Sequence, residues 1–146
     1  MKPRAFDLSH VVTFEETNLV GNVYFTNYFA WQGQCREMFL REQAPQALQS
    51  LSRGELRLVT AHASCDYSDE FLVCDEICIR LTLNRFIPFG VSLNFEYGLL
   101  ERAGLRREFE TVARGRQDIK FLHREAAGWA LFEIPGYLMK VLQRYE

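Results

Sequence analysis

Between about Tyr24 and Gln43 the apolar positions recur with a helical period. At roughly 100° per residue, Phe25, Tyr28, Phe29, Trp31, Cys35, Met38, Phe39 and Leu40 share one broad arc. Asn27, Gln34, Glu37 and Arg41 lie opposite, together with the small residues Thr26, Ala30 and Gly33. Pro45 disfavours helix at Ala44 and ends the element there. The flanking segments change period. Phe6 to Phe14 is β-rich and reads as a first strand. After the helix, QALQSLSRG supplies another helical turn or two, stopped by Gly54. LRLVTAHASCDYSDEF then reads as a long strand. In CDEICIRLTLNRF, the residues Ile77, Ile79, Leu81 and Leu83 fall on one face. Beyond a turn at Pro88–Gly90, Val91, Leu93, Phe95, Tyr97 and Leu99 alternate cleanly. REFETVARGRQDIKFLHRE follows a turn at RAG as the last long strand, with a bulge expected at Gly115. A short strand and a helix after Pro135 close the chain.

Strand, long helix, then strands joined by hairpin-length turns is the order of an α+β domain with one antiparallel sheet. The apolar arc of the helix is wider than a one-sided surface helix needs. A curved sheet wrapping the helix on more than one side accounts for the width. No repeat, linker or low-complexity segment interrupts the chain, so residues 1–146 are expected to form a single domain.

Two polar residues stand in the middle of the apolar arc, Gln32 and Arg36. A guanidinium does not lose its proton and is costly to bury without partners. Arg36 is a structural clamp, on backbone carbonyls or on a carboxylate such as Glu15 or Glu16, or it lies in a wet cleft, or it meets an anionic ligand. The loop ahead of the helix speaks for a ligand. Asn18, Gly21 and Asn22 precede it, so amides at the helix start near Asn22, Val23 and Tyr24 can face a carbonyl or an oxyanion. Polar loop, glycine turn, free helix N-terminus and buried cation together suggest an acyl site. Tyr28, two helical turns before Arg36, is its expected hydrogen-bonding neighbour.

FEETNLVGNVYFTNYFAWQGQCREMFL, the long strands after it and the late IPGYLMKVL resemble the hot-dog-fold thioesterases of the hydroxybenzoyl-CoA type. They resemble most the thioesterases of enediyne polyketide biosynthesis. The resemblance covers nearly the whole chain and implies a hot-dog fold, with a long central helix wrapped by a curved antiparallel sheet. In the wider family the loop carries an acidic residue before the turn, in a T-D-x-x-G context, as nucleophile or general base. Here TNLVG puts Asn18 at that position, a departure shared with the enediyne branch. The resemblance thus implies a thioester hydrolase without the usual carboxylate. Asn18, Arg36 and Tyr28 would be its catalytic residues, with Gly21, Asn22, Val23, Tyr24 and Gln32 lining the substrate. It also implies a polyene β-ketoacyl substrate, an acyl-carrier-protein domain of a polyketide synthase as partner, and decarboxylation of the product to a methyl ketone. Subunits would build the site across a dimer interface, as a homodimer or a homotetramer.

Composition narrows the alternatives. The chain has 48% hydrophobic and 25% charged residues, within the range of ordinary globular domains. Its twelve Phe, six Tyr and two Trp suit a core, and equally the walls of a pocket for a flat conjugated chain. A net charge of -2 gives no reason to expect nucleic acid. No apolar run suggests a membrane span or a leader, so a cytoplasmic setting is expected. Cys35, Cys65, Cys74 and Cys78 read as reduced structural thiols, with Cys74 and Cys78 on one face of a strand. Asp66, Asp69, Glu70, Asp75 and Glu76 read as a solvated turn, and neither metal nor cofactor is expected. No GxSxG elbow is present, which excludes an α/β-hydrolase. His10, His62 and His123 lie outside the helix and its loop, which speaks against a hot-dog dehydratase. A generic acyl-CoA thioesterase and a non-catalytic acyl-binding module remain as rivals.

Overall fold

In a computed structural model, which describes residues 4–146, the elements run β1 (Phe6–Val11), α1 (Asn27–Gln43), α2 (Pro45–Ser52), β2 (Leu56–Tyr67), β3 (Glu76–Ile87), β4 (Gly90–Arg102), β5 (Leu105–Glu125), β6 (Gly128–Leu131) and α3 (Gly136–Gln143). One antiparallel sheet has the order β1-β3-β4-β5-β2, and β6 adds to the end of β5. The alternation in β3 and β4 does what it predicts. Ile77, Ile79, Leu81 and Leu83, with Val91, Leu93, Phe95, Tyr97 and Leu99, are all buried on the face that receives α1. Tyr28, Trp31, Gln32, Cys35, Phe39 and Leu40 are the buried residues of the helix. Leu138, Leu142 and Tyr145 close the far end, where the Tyr145 ring meets Phe39 edge-on at 5.1 Å. This is the hot-dog architecture.

Boundaries and details differ from expectation in instructive ways. The helix begins at Asn27, and Tyr24 and Phe25 stay about half exposed. β1 ends at Val11, and a single 3-10 turn, Phe14–Glu16, takes over. Its turn is held by the Glu16 carboxylate, which accepts from the Thr13 amide and hydroxyl. Gly115 is not a bulge: it pairs with both Cys65 and Phe95 in register. The irregularity of β2 lies between Thr60 and His62 instead. Cys74 sits before β3 with φ of 68° and is exposed, so it does not share a core face with Cys78. Asp75 is not a solvated turn residue either. It is 1% exposed and takes a bidentate ion pair from Arg102, at 3.0 and 2.7 Å.

The order of strands leaves β2 at one edge of the sheet. Val59, Thr60, Ala61, His62 and Ala63 form an exposed run along it. A free edge strand offers unpaired backbone groups for another strand.

Candidate active site

The loop from Thr17 to Thr26 is shaped by short-range chemistry. The Asn18 side-chain oxygen accepts from the Val20 amide at 3.1 Å, and the Gly21 amide closes the turn onto the Asn18 carbonyl at 3.0 Å. Gly21 has φ of 85°, a region that glycine enters without the strain a side chain would bring. Leu19 and Val20 are thereby carried to the tip, fully exposed. The Asn22 amide nitrogen donates to Glu70 at 2.7 Å, while its side-chain oxygen is buried and without a partner among the described residues.

Two of the expected amides are already used. Val23 donates its backbone N–H to the Phe71 carbonyl, and Tyr24 donates its own to the Glu16 carbonyl, each at 2.9 Å. They belong to the short bridges that fasten the loop, and they cannot polarise a ligand. The amides of Phe25 and Thr26, immediately ahead of α1, donate to no backbone carbonyl among the described residues. The sequence signal for these two was the same helix start. Only the register of the loop, set by Phe71 and Glu16, decides which amides remain.

Glu16 latches the loop to the helix. Its carboxylate accepts from Trp31 Nε1 at 2.7 Å, from His10 Nε2 at 2.7 Å and from the Thr13 amide at 2.9 Å. Burial pushes its pKa up, but the hydrogen bonds from Thr13, His10 and Trp31 outweigh that and the net direction is down.

Tyr28 is enclosed by aromatic rings: Tyr67 at 4.7 Å, Tyr97 and Trp31 at 5.2 Å, and Phe71 stacked at 5.8 Å. Burial raises its phenol pKa to about 12, against a smaller lowering by the Phe71 backbone. It therefore stays a neutral hydrogen-bonding group. It is not the neighbour of Arg36. Eight helical residues separate them by roughly 12 Å along the axis, and Arg36 bonds elsewhere.

Arg36 points to β5 and β2. Its Nη1 donates to Gln117 Oε1 at 2.8 Å and more weakly to Thr60 Oγ1 at 3.3 Å. Nε is buried and meets no acceptor. Burial, the larger cause, draws the guanidinium pKa down while Glu37 raises it, and among the described residues Arg36 forms no ion pair. The clamp on Glu15 or Glu16 is thus excluded, since Glu16 serves Trp31 and His10. Gln32, fully buried, donates to the Ser64 carbonyl at 3.0 Å and accepts from Gln117 at 3.4 Å. Gln117 escaped sequence reasoning. It occupies an inward position of β5 in the series Ala113, Gly115, Gln117, Ile119, Phe121, so the polar-in-apolar signal that marks Gln32 and Arg36 marks it too.

Beside Arg36 a narrow apolar crevice runs between α1, the sheet and α3, lined by Phe39, Leu58, Leu93, Phe121 and Leu142 among others. Its free volume is about 20 Å³, barely room for one water. Within the chain the features fall at two places. A polar loop whose Asn22, Phe25 and Thr26 amides donate to no backbone carbonyl among the described residues lies at the start of α1. Arg36 lies roughly 14 Å along the helix, beside a narrow apolar crevice.

A structure of the dynemicin thioesterase, described with induced-fit and allosteric effects upon polyene binding, superimposes on the chain with a TM-score of 0.88. It is 37% identical over 97% of each chain. The chain belongs to the hot-dog-fold thioesterases. As a member of this family it is a thioester hydrolase, and the likeness to the enediyne branch read from the sequence is this same one. A 1,4-dihydroxy-2-naphthoyl-CoA thioesterase from Synechocystis shares the fold at TM-score 0.79, with 18% identity over 96% of each chain. 4-Hydroxybenzoyl-CoA thioesterase from Pseudomonas shares it at 0.77, with 14% identity over 94% of this chain and 99% of its own. No protein-family model matches the chain, and no curated protein matches it. Among the described residues, no helix of this thioesterase is long and apolar enough to cross a membrane.

Proposed function

We propose that this thioesterase hydrolyses a long unsaturated β-ketoacyl thioester presented by an acyl-carrier-protein domain of a polyketide synthase, without a catalytic carboxylate. The observation that carries the proposal is Arg36, a half-buried guanidinium held only by neutral acceptors beside an apolar crevice. A β-keto thioester suits that arrangement, because its enolate spreads negative charge that a cation stabilises. The Phe25 and Thr26 amides lie at the start of α1, where a thioester carbonyl is polarised by free N–H groups and the helix dipole. Asn18 has no basic group and takes no proton from water. Its side-chain N–H groups can orient the water or hold the thioester. The water oxygen adds to the thioester carbonyl carbon, the C–S bond breaks, and the thiol leaves with a proton from the water. The β-keto acid can then lose carbon dioxide to give a methyl ketone. Tyr28, packed against Tyr67 and Tyr97, would wall the acyl path, and the Asn22 side-chain oxygen, unpartnered among the described residues, would face it.

The crevice is too small for an acyl chain as it stands, so binding must open it. The polyene and the induced fit described for the dynemicin thioesterase support that reading here. Arg36 lies roughly 14 Å along the helix from its first residue, and no hydrogen bond joins it to Asn18 among the described residues. A homodimer through the free edge of β2, where Thr60 meets Arg36, would cover the site and complete it. A homotetramer and a cytoplasmic setting complete this reading.

One observation favours the acyl-binding rival: the Asn18 oxygen is tied up by the Val20 amide, and the residue is exposed. Hydrolysis decides between them. Thiol release with Ellman's reagent should be measured on acyl-CoAs and on carrier-protein thioesters, with mass spectrometry of the products. The proposal requires fastest turnover on a β-ketoacyl carrier thioester and a methyl ketone among the products. Turnover on none of the donors would leave an acyl-binding module.

A further inference from the structure

A backbone carbonyl has only lone pairs to offer, and in this thioesterase one carbonyl sets the direction of a whole chain of hydrogen bonds. The Ser64 carbonyl on β2 accepts from Gln32 at 3.0 Å. Gln32 must therefore turn its amide nitrogen toward β2, which leaves its oxygen facing Gln117. Gln117, 5% exposed, answers with its own nitrogen at 3.4 Å. Its oxygen is then left to face Arg36, and it accepts from Nη1 at 2.8 Å. The room for this relay is built into β5. A Cβ at Gly115 would lie 2.3 Å from the Gln32 nitrogen and 2.9 Å from the Ser64 carbonyl oxygen.

We propose that Gln117 is a positioning residue that fixes the Arg36 guanidinium toward the acyl site while leaving its charge intact, and that Gln32 fixes the sense of Gln117. This rests on the reading above that Arg36 stabilises negative charge in the reaction. A carboxylate at 117 would hold the guanidinium at the same distance but neutralise it. It would also lose the donor that Gln32 needs. The neutral amide binds Arg36 at one nitrogen and leaves the unpartnered Nε for a ligand. Gln117 itself touches no reacting atom in this account and acts only through Arg36.

The test is a double-mutant cycle on the full chain, with Gln117→Leu and Arg36→Met alone and together, read as kcat on a β-ketoacyl thioester and as the thermal midpoint. Gln117→Leu should lower kcat by between about tenfold and a hundredfold, with KM moved far less. In the Arg36→Met background the same substitution should cost less than about twofold, because its effect passes through the missing guanidinium. Equal losses in both backgrounds would overturn the proposal while leaving the role of Arg36 standing. A parental rate for Arg36→Met would overturn the role of Arg36 and the proposal with it. Gln117→Glu keeps the volume and serves where the leucine variant fails to fold. It should stay folded and lose at least tenfold in kcat, and a parental kcat in Gln117→Glu would equally overturn the proposal.

Discussion

Glu16 and Arg36 both bring a charged group against α1, and their surroundings could hardly differ more. The Glu16 carboxylate accepts from an indole, an imidazole, an amide and a hydroxyl. Arg102, elsewhere in the same chain, is likewise satisfied by a bidentate pair with buried Asp75. Arg36 has a strong bond to one neutral amide, a weak one to a hydroxyl, and a buried nitrogen with nothing to donate to. A saturated charge locks local structure. An unsaturated one is costly to hold in place, and a ligand of opposite charge is what recovers the cost. Glu16 is therefore held by a full set of donors, and Arg36 is left with a buried donor unmet among the described residues.

The largest stability effect should come from the saturated group. Glu16→Ala leaves the Trp31 N–H, itself on a fully buried residue, and the Thr13 amide without their acceptor. A loss of roughly 1–3 kcal/mol in chemical denaturation is expected, chiefly from the Trp31 N–H, since the exposed Thr13 amide can turn to water. An unchanged denaturation midpoint would break the contrast with Arg36. Gly115→Ala comes next. Its new methyl group must displace Gln32 or the β2 backbone, at a cost of roughly 1–3 kcal/mol. The same variant should lower kcat through the relay, so a stable and fully active Gly115→Ala would show that Gln32 is free to move.

The acid side offers a finer probe. Glu16 has its folded pKa below the ordinary 4.5. Its contribution to stability is therefore complete above that value and fades as pH falls through the lower, folded one. Stability measured across this acid window should fall less steeply in Glu16→Gln than in the parent. Identical slopes would mean that the latch is already open. The smallest effect belongs to Asn18→Asp, which keeps the shape of the loop and its bond to the Val20 amide. A loss of several-fold in kcat on the β-keto thioester is expected, since a carboxylate has no side-chain N–H with which to orient the water or hold the thioester. A rate at or above the parent would show that the carboxylate mechanism of the wider family operates here.

Much of this molecule could be read from its residues. The wide apolar arc of α1 and the period-two runs in β3 and β4 carry the hot-dog fold, because burial against one face imposes both periods. Gln32 and Arg36 stood out because they interrupt the arc. What escaped depends on residues far apart in the chain. The Val23 amide looked free until Phe71, 48 residues on, was seen to accept from it. Asp75 looked solvated until Arg102 came across from β4. The Tyr28–Arg36 neighbourhood failed for a local reason: two helical turns put residues on one face but not within reach of each other. Gln117 carried a legible signal in its own strand, and its meaning emerged only with α1 packed against it.

The central claim is that Arg36 acts on the substrate and not on the fold. Arg36→Met keeps most of the side-chain volume and removes the charge. Its kcat/KM should be measured on a β-ketoacyl and a saturated acyl thioester of equal length, together with the thermal midpoint. The account predicts a midpoint no lower than the parent's and a loss of about two orders of magnitude on the β-keto substrate. The preference for that substrate over the saturated one should disappear. An unfolded Arg36→Met beside a fully active Arg36→Lys would contradict it, and would make the arginine a structural clamp after all.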